Sequence, residues 1–129
     1  MSKSPKISAA EWEVLNVVWE RGAATGPQVY EALSRQTGWH QKTVATFLTR
    51  LAAKGILTIK RDGKSNVYRP KLSREQCVRQ ESQSFLQRVF RGASGPLLAH
   101  FCEEAELSEA EIVQLRKLLQ ERSGKTRKK

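Results

Sequence analysis

The stretch WHQKTVATFLTRLAAKG, from Trp39 to Gly55, constrains this chain more than any other. Val44, Phe47, Leu48 and Leu51 recur at i, i+3, i+4 and i+7, which predicts an α-helix with one buried face. The opposite face carries Lys42, Thr43, Ala45, Thr46, Thr49 and Arg50, which are cations and small or hydroxylated residues with no acid among them. Such a face suits the major groove of duplex DNA. Hydroxyls and cations reach phosphates and base edges, and short side chains allow close approach. Immediately downstream, ILTIKRDGKSNVYRP reads as two short β-type runs joined through Asp62-Gly63, a hairpin turn signal. A basic helix followed by a basic hairpin predicts a winged helix-turn-helix.

The distribution of charge points the same way. The chain of 129 residues has a formal net charge of +10. Residues 1–38 are neutral overall, whereas residues 39–72 hold Lys42, Arg50, Lys54, Lys60, Arg61, Lys64, Arg69 and Lys71 against Asp62 alone. A field concentrated on one helix and one hairpin is the footprint of a polyanion-binding surface. A membrane-surface binder would pair such cations with an exposed apolar face, and the apolar residues of this helix are committed to a core.

Upstream, Ser8-x-x-Glu11 predicts a capping box at the start of a first helix, with Trp12, Leu15, Val18 and Trp19 inward and Gly22 at its end. Gly26-Pro27 opens a second helix with Val29, Ala32 and Leu33 inward, closed by Gly38. The basic helix is third, in the reading position of a helix-turn-helix, and the wing strands are expected at about residues 56–61 and 66–70. Thr43 and Thr46 are the candidates for base or thymine-methyl contact. Arg50, Lys54, Lys60, Arg61 and Lys64 are the candidates for phosphates, and Tyr68 is the aromatic nearest the basic face.

After Pro70 the pattern becomes purely helical. A long helix from Ser73 to Phe90 carries Phe85, Leu86, Val89 and Phe90 on one side, and a short one carries Leu97, Leu98, Phe101 and Cys102. A second capping box, Ser108-x-x-Glu111, starts a last helix with Ile112, Leu115, Leu118 and Leu119 in register. Three such helices cannot bury enough apolar surface alone, so they must dock on the first domain or on a second copy of the chain. Palindromic operators match two-fold proteins, which favours a dimerisation module. The expected organisation is a DNA-binding domain over 1–72, a helical dimerisation module over 73–122 and a basic, disordered tail over 123–129.

Other functions find little support. Cys77 and Cys102 form no CxxC and have no neighbouring His, and both fall on apolar stripes that predict buried, inert thiols. His40 and His100 are isolated, and no catalytic constellation is visible; no enzyme activity, metal or cofactor is expected. No apolar run reaches the roughly 18 residues of a membrane span and no signal peptide is visible, so a cytoplasmic protein without membrane insertion is expected. An RNA- or ribosome-associated winged-helix module is the alternative. RNA binders usually offer exposed aromatics for stacking.

The chain resembles the BlaI/MecI/CopY penicillinase-repressor family from Ser8 to about Leu119. The matching pieces are Glu11-Trp12 with Trp19, Trp39 followed by Lys42-Thr43-Val44, and Thr46-x-Leu48-x-Arg50-Leu51-x-x-Lys54-Gly55. Tyr68-x-Pro70 and Leu107-Ser108 followed by Glu111-Ile112 also match. The resemblance implies a mainly α fold with a small β-wing. It also implies a homodimeric repressor of a pseudo-palindromic promoter operator. In some members a membrane-bound sensor metallopeptidase triggers release by cutting an Asn-Phe pair, which falls here on His100-Phe101, so phenylalanine is kept and asparagine is not. Typical members read Trp-Ser-Pro-Lys-Thr where this chain has Trp39-His40-Gln41-Lys42-Thr43, and the lost Ser cap and first-turn Pro imply a less rigid start to the reading helix. The cysteine cluster of the copper-responsive branch is absent, which disfavours copper sensing.

Overall fold

The computed structural model describes residues 6–127. The chain forms two compact units, one up to Ser84 and one from Phe85 onward. In the first unit, α1 (Ala9–Arg21) starts with the expected capping box. Ser8 Oγ accepts from the Glu11 backbone N–H at 3.1 Å, and Glu11 Oε1 accepts from the Ser8 N–H at 2.8 Å. The helix ends at Gly22, whose φ of 83° suits only glycine well. β1 (Ala24–Thr25) leads into α2 (Gly26–Thr37), which has Pro27 in its first turn and Gly38 in the left-handed conformation at its end. A further capping box, Thr25 with Gln28, starts α2 one residue before the Gly26-Pro27 signal. α3 (Gln41–Ala53) follows, then β2 (Leu57–Asp62) and β3 (Ser65–Pro70).

The antiparallel sheet has the order β1-β3-β2. Its third strand is not foreshadowed in the sequence, because two residues are too short a run for alternation to register. Ala24 pairs with Tyr68 and Thr25 with Val67, so β1 ties the α1–α2 connection to the wing. The apolar faces of α1, α2 and α3 close over this sheet. Val14, Leu15, Val18, Val29, Leu33, Val44, Leu48, Leu51, Ile56 and Leu57 are all buried. Burying side chains of this size stabilises a fold by roughly 1.5–3 kcal/mol each. Trp12 and Trp19 pack at 5.7 Å on the edge of that core, and the Trp19 indole N–H donates to the Leu72 carbonyl at 3.0 Å. Ala32, expected inward, is exposed.

α4 (Arg74–Phe90) begins at a capping box of Ser73 with Gln76 and places Cys77 in the same core. The division between the two compact units falls within α4, after Ser84. Sequence composition changes where the wing ends, but the first turn of the next helix is still needed to close the core. In the second unit, α5 (Ser94–Glu104) takes Gly95 and Pro96 into its first turn, where proline's missing N–H is harmless. α6 (Glu109–Arg127) starts at the Ser108–Glu111 capping box. It continues through Ser123 to Arg127, so the expected disordered tail is helical over those residues. Residues 128 and 129 lie outside the described ones. Cys102 is exposed, contrary to expectation, while Cys77 is buried and its thiol is pushed up by that burial.

Candidate nucleic-acid interface

α3 is held by one face. Val44, Leu48 and Leu51 are fully buried, and Phe47 packs on Trp39 with ring centroids 5.1 Å apart. The 3.6-residue period then dictates what faces out: Lys42, Ala45, Thr46, Thr49 and Arg50 are exposed, and Thr43 is half-buried. Among the described residues, neither Lys42 nor Arg50 meets a protein carboxylate. The Thr46 hydroxyl donates to the Lys42 carbonyl at 3.0 Å and that of Thr49 to the Ala45 carbonyl at 2.9 Å. With their hydrogens used inside the helix, both threonines offer an oxygen acceptor and a methyl group outward. The helix begins at His40, whose side chain makes no capping hydrogen bond. That absence agrees with the loss of serine and proline at the start of this helix.

The wing sorts its cations by strand alternation. Leu57 and Tyr68 are buried on the core side of the sheet, and Ile59, paired with Tyr68, lies on that same side but is 45% exposed beyond the edge of the core. Thr58, Lys60, Val67 and Arg69 therefore fall on the outer side and Arg61 on the side of Ile59, while Lys60, Arg61, Asp62, Val67 and Arg69 together line a shallow cleft. Arg61 Nε donates to the Gly63 carbonyl at 3.3 Å across the turn, and Gly63 has φ 63°. Lys64 completes the exposed basic tip. A hollow lined by Gly26, Pro27, Gln41, Lys42 and Ala45 joins the first turns of α2 and α3. The start of α3 has no side-chain cap, so its first-turn backbone N–H groups add to the positive potential there. Nothing in the sequence marks Gly26, Pro27 and Gln41 as surface residues of this site, because the meeting of two helix starts is set by their packing.

Two of the expected DNA-contacting residues are placed elsewhere. Tyr68 is only 6% exposed and packs in the core, so the Tyr-x-Pro end of the wing is explained by packing. Lys54 turns back into the protein: its Nζ donates to Glu11 Oε1 and to the Lys6 carbonyl, both at 2.6 Å. Burial pushes the Glu11 carboxyl up, but hydrogen bonds from Lys54 and Ser8, with the charge of Lys54, hold it below its ordinary value. Spacing along α3 puts Lys54 near the basic face, but cannot show that α1 supplies a partner.

In the second unit, Phe85, Val89, Leu98, Phe101, Ile112, Leu115, Leu118 and Leu119 are exposed, with Leu86, Phe90 and Leu97 half-buried. Nothing from Phe85 to Gly124 is buried. His100 and Phe101 lie inside α5, with their rings edge to face at 5.6 Å. Among the described residues there is no group of three or more His, Cys, Asp or Glu side chains that could hold a metal ion. No described helix is long and apolar enough to cross a membrane.

A three-helix core, a basic third helix with a free outer face and a two-stranded basic wing define a winged helix-turn-helix DNA-binding protein. The profile of the penicillinase repressor family matches residues 7–121, and the chain belongs to that family. It is 36% identical to the penicillinase repressor of Bacillus licheniformis over 129 residues, all of this chain and 99% of that protein. It is 34% identical to the methicillin resistance regulatory protein MecI of Staphylococcus aureus strain N315, over 92% of this chain and 96% of that one. The solved DNA-binding domain of the repressor BlaI matches 57% of this chain and 90% of its own length, with a TM-score of 0.52 and 38% identity. The monomeric form of Bacillus licheniformis BlaI, solved in complex with the blaP half-operator, matches with a TM-score of 0.50 and 37% identity, over 58% and 92%.

Proposed function

We propose that this chain is a transcriptional repressor that acts in the cytoplasm as a homodimer on a pseudo-palindromic promoter operator. Each subunit reads one half-site with α3. The observation that carries this reading is the acid-free outer face of α3, cationic and hydroxylated, on a helix whose other face is buried in the core. Thr43 and Thr46 meet base edges, while Arg50, Lys60, Arg61 and Lys64 hold phosphates on either side. The complex of monomeric Bacillus licheniformis BlaI with a half-operator supports one subunit per half-site. RNA binding is disfavoured, because Trp39, Phe47 and Tyr68 pack against the core instead of offering faces for stacking.

Dimerisation rests on the helices after Ser84. A unit with no buried residue between Phe85 and Gly124 and with Phe85, Val89, Leu115 and Leu118 exposed gains its core only by association. For release, cleavage between His100 and Phe101 by a membrane-bound sensor metallopeptidase would detach α6 and end the tethering of two weak half-site binders. Both residues lie in a helix interior, so α5 must unwind locally to enter a peptidase.

Footprinting of the promoter regions beside its own coding sequence tests the proposal. A two-fold protected region is expected, with half-site centres about one helical turn apart. Log K should fall steeply with log salt. Monomeric binding that is indifferent to salt would overturn it.

A further inference from the structure

One charged pair in the DNA-binding unit is spent on the protein rather than on the polyanion. The Glu11 side chain is 3% exposed and that of Lys54 31%. Lys54 is the C-cap residue of α3 through its backbone N–H, and its ammonium ties that end of the helix to two other segments: the first turn of α1 through Glu11, and the chain before α1 through the Lys6 carbonyl. Glu11 is itself fixed by the Ser8 capping box. Such a pair adds little net stability, because desolvation offsets most of the attraction. Its distinctive contribution is direction. The apolar contacts of Val44, Leu48 and Leu51 decide which face of α3 is buried, whereas a directional, charge-assisted hydrogen bond at its end sets the roll and tilt more finely. Thr46 lies about 12 Å along the helix axis from Lys54, so a tilt of about 5° at the Lys54 end moves it by about 1 Å, more than the roughly 0.5 Å that a binding constellation tolerates.

We propose that Glu11 and Lys54 are positioning residues that set the roll and tilt of α3, and with them the register of Thr43 and Thr46 on the bases; this rests on α3 being the reading helix. The test uses the full chain and two fluorescent duplexes. One is selected by the wild-type protein from a random-sequence library, and the other is its shuffled counterpart. Lys54→Met should weaken the selected duplex about tenfold and the shuffled one less than about threefold, with the slope of log K against log salt unchanged. Glu11→Gln should act in the same direction but less, and the double variant should be no worse than Lys54→Met alone, as expected of one coupled unit. A slope shallower by about one for Lys54→Met, with Glu11→Gln silent, would overturn the proposal and make Lys54 a phosphate contact. Equal losses on both duplexes, or none, would overturn it as well and leave the pair a role in folding only. If circular dichroism shows Lys54→Met unfolded, Glu11→Gln decides: an unchanged ratio between the two duplexes overturns the proposal. A wild-type chain that enriches no sequence overturns the repressor reading itself, and this proposal with it.

Discussion

Thr46 and Lys54 stand about two turns apart on one helix and are put to opposite uses. Thr46, its hydroxyl hydrogen donated back to Lys42, presents a methyl group and a lone pair outward. Thr46→Ala should therefore relax sequence preference at one position, weakening the preferred base by about 1–3 kcal/mol; binding to a panel of single-base operator variants checks this. Lys64→Ala at the wing tip should instead weaken all sequences alike and lower the salt slope by about one. Glu11 adds a pH dependence. Its carboxyl lies below its ordinary value in the folded chain, so its contribution to stability is full above the unfolded-state value and is lost as pH falls through the lower, folded-state value. Urea midpoints measured downward from neutral pH should show a loss that Glu11→Gln reduces. At this scale the sequence is legible wherever one helix decides the outcome. The outward placement of Lys42, Ala45, Thr46, Thr49 and Arg50 follows from periodicity alone, while the fates of Lys54 and Tyr68 depend on partners from distant segments.

Among the elements, helix starts are the most legible and the start of α3 is the weakest. Ser8 with Glu11 and Ser108 with Glu111 read directly as capping boxes, because each is closed within four residues. His40 occupies the cap position of α3 in extended conformation but provides no side-chain acceptor. His40→Ser should supply one and raise stability by about 0.5–2 kcal/mol, read as a shift in the urea midpoint at constant m-value. The wing is legible as a hairpin through Asp62-Gly63, with strand ends within a residue of those observed. Its third strand is not, since Ala24 and Thr25 become a strand only through pairing with Tyr68 and Val67.

For the whole molecule, the contrast between the two units matters most. The unit up to Ser84 has a closed core, whereas the one from Phe85 exposes its apolar stripes. Leu115→Glu should give a monomer in sedimentation, with the DNA-binding unit still folded and operator affinity strongly reduced. An intact dimer would count against α6 as part of the interface. Co-expression with a sensor peptidase encoded nearby, followed by sequencing of the fragments after induction, should locate a cut between His100 and Phe101. A chain that stays intact throughout full induction would leave release to a ligand.

By itself the sequence determined the order and type of the main elements, the caps of α1 and α6 and the cationic face of α3. These are local properties, set by residues three or four positions apart or by a turn of two. Tertiary structure alone decided that Lys54 belongs to Glu11, that Tyr68 faces the core, that Ala24 and Thr25 form a strand and that Cys77 is enclosed while Cys102 is not. Each of these depends on which segments, far apart in the chain, share a surface, and a buried charge or ring takes its role from whatever it meets there.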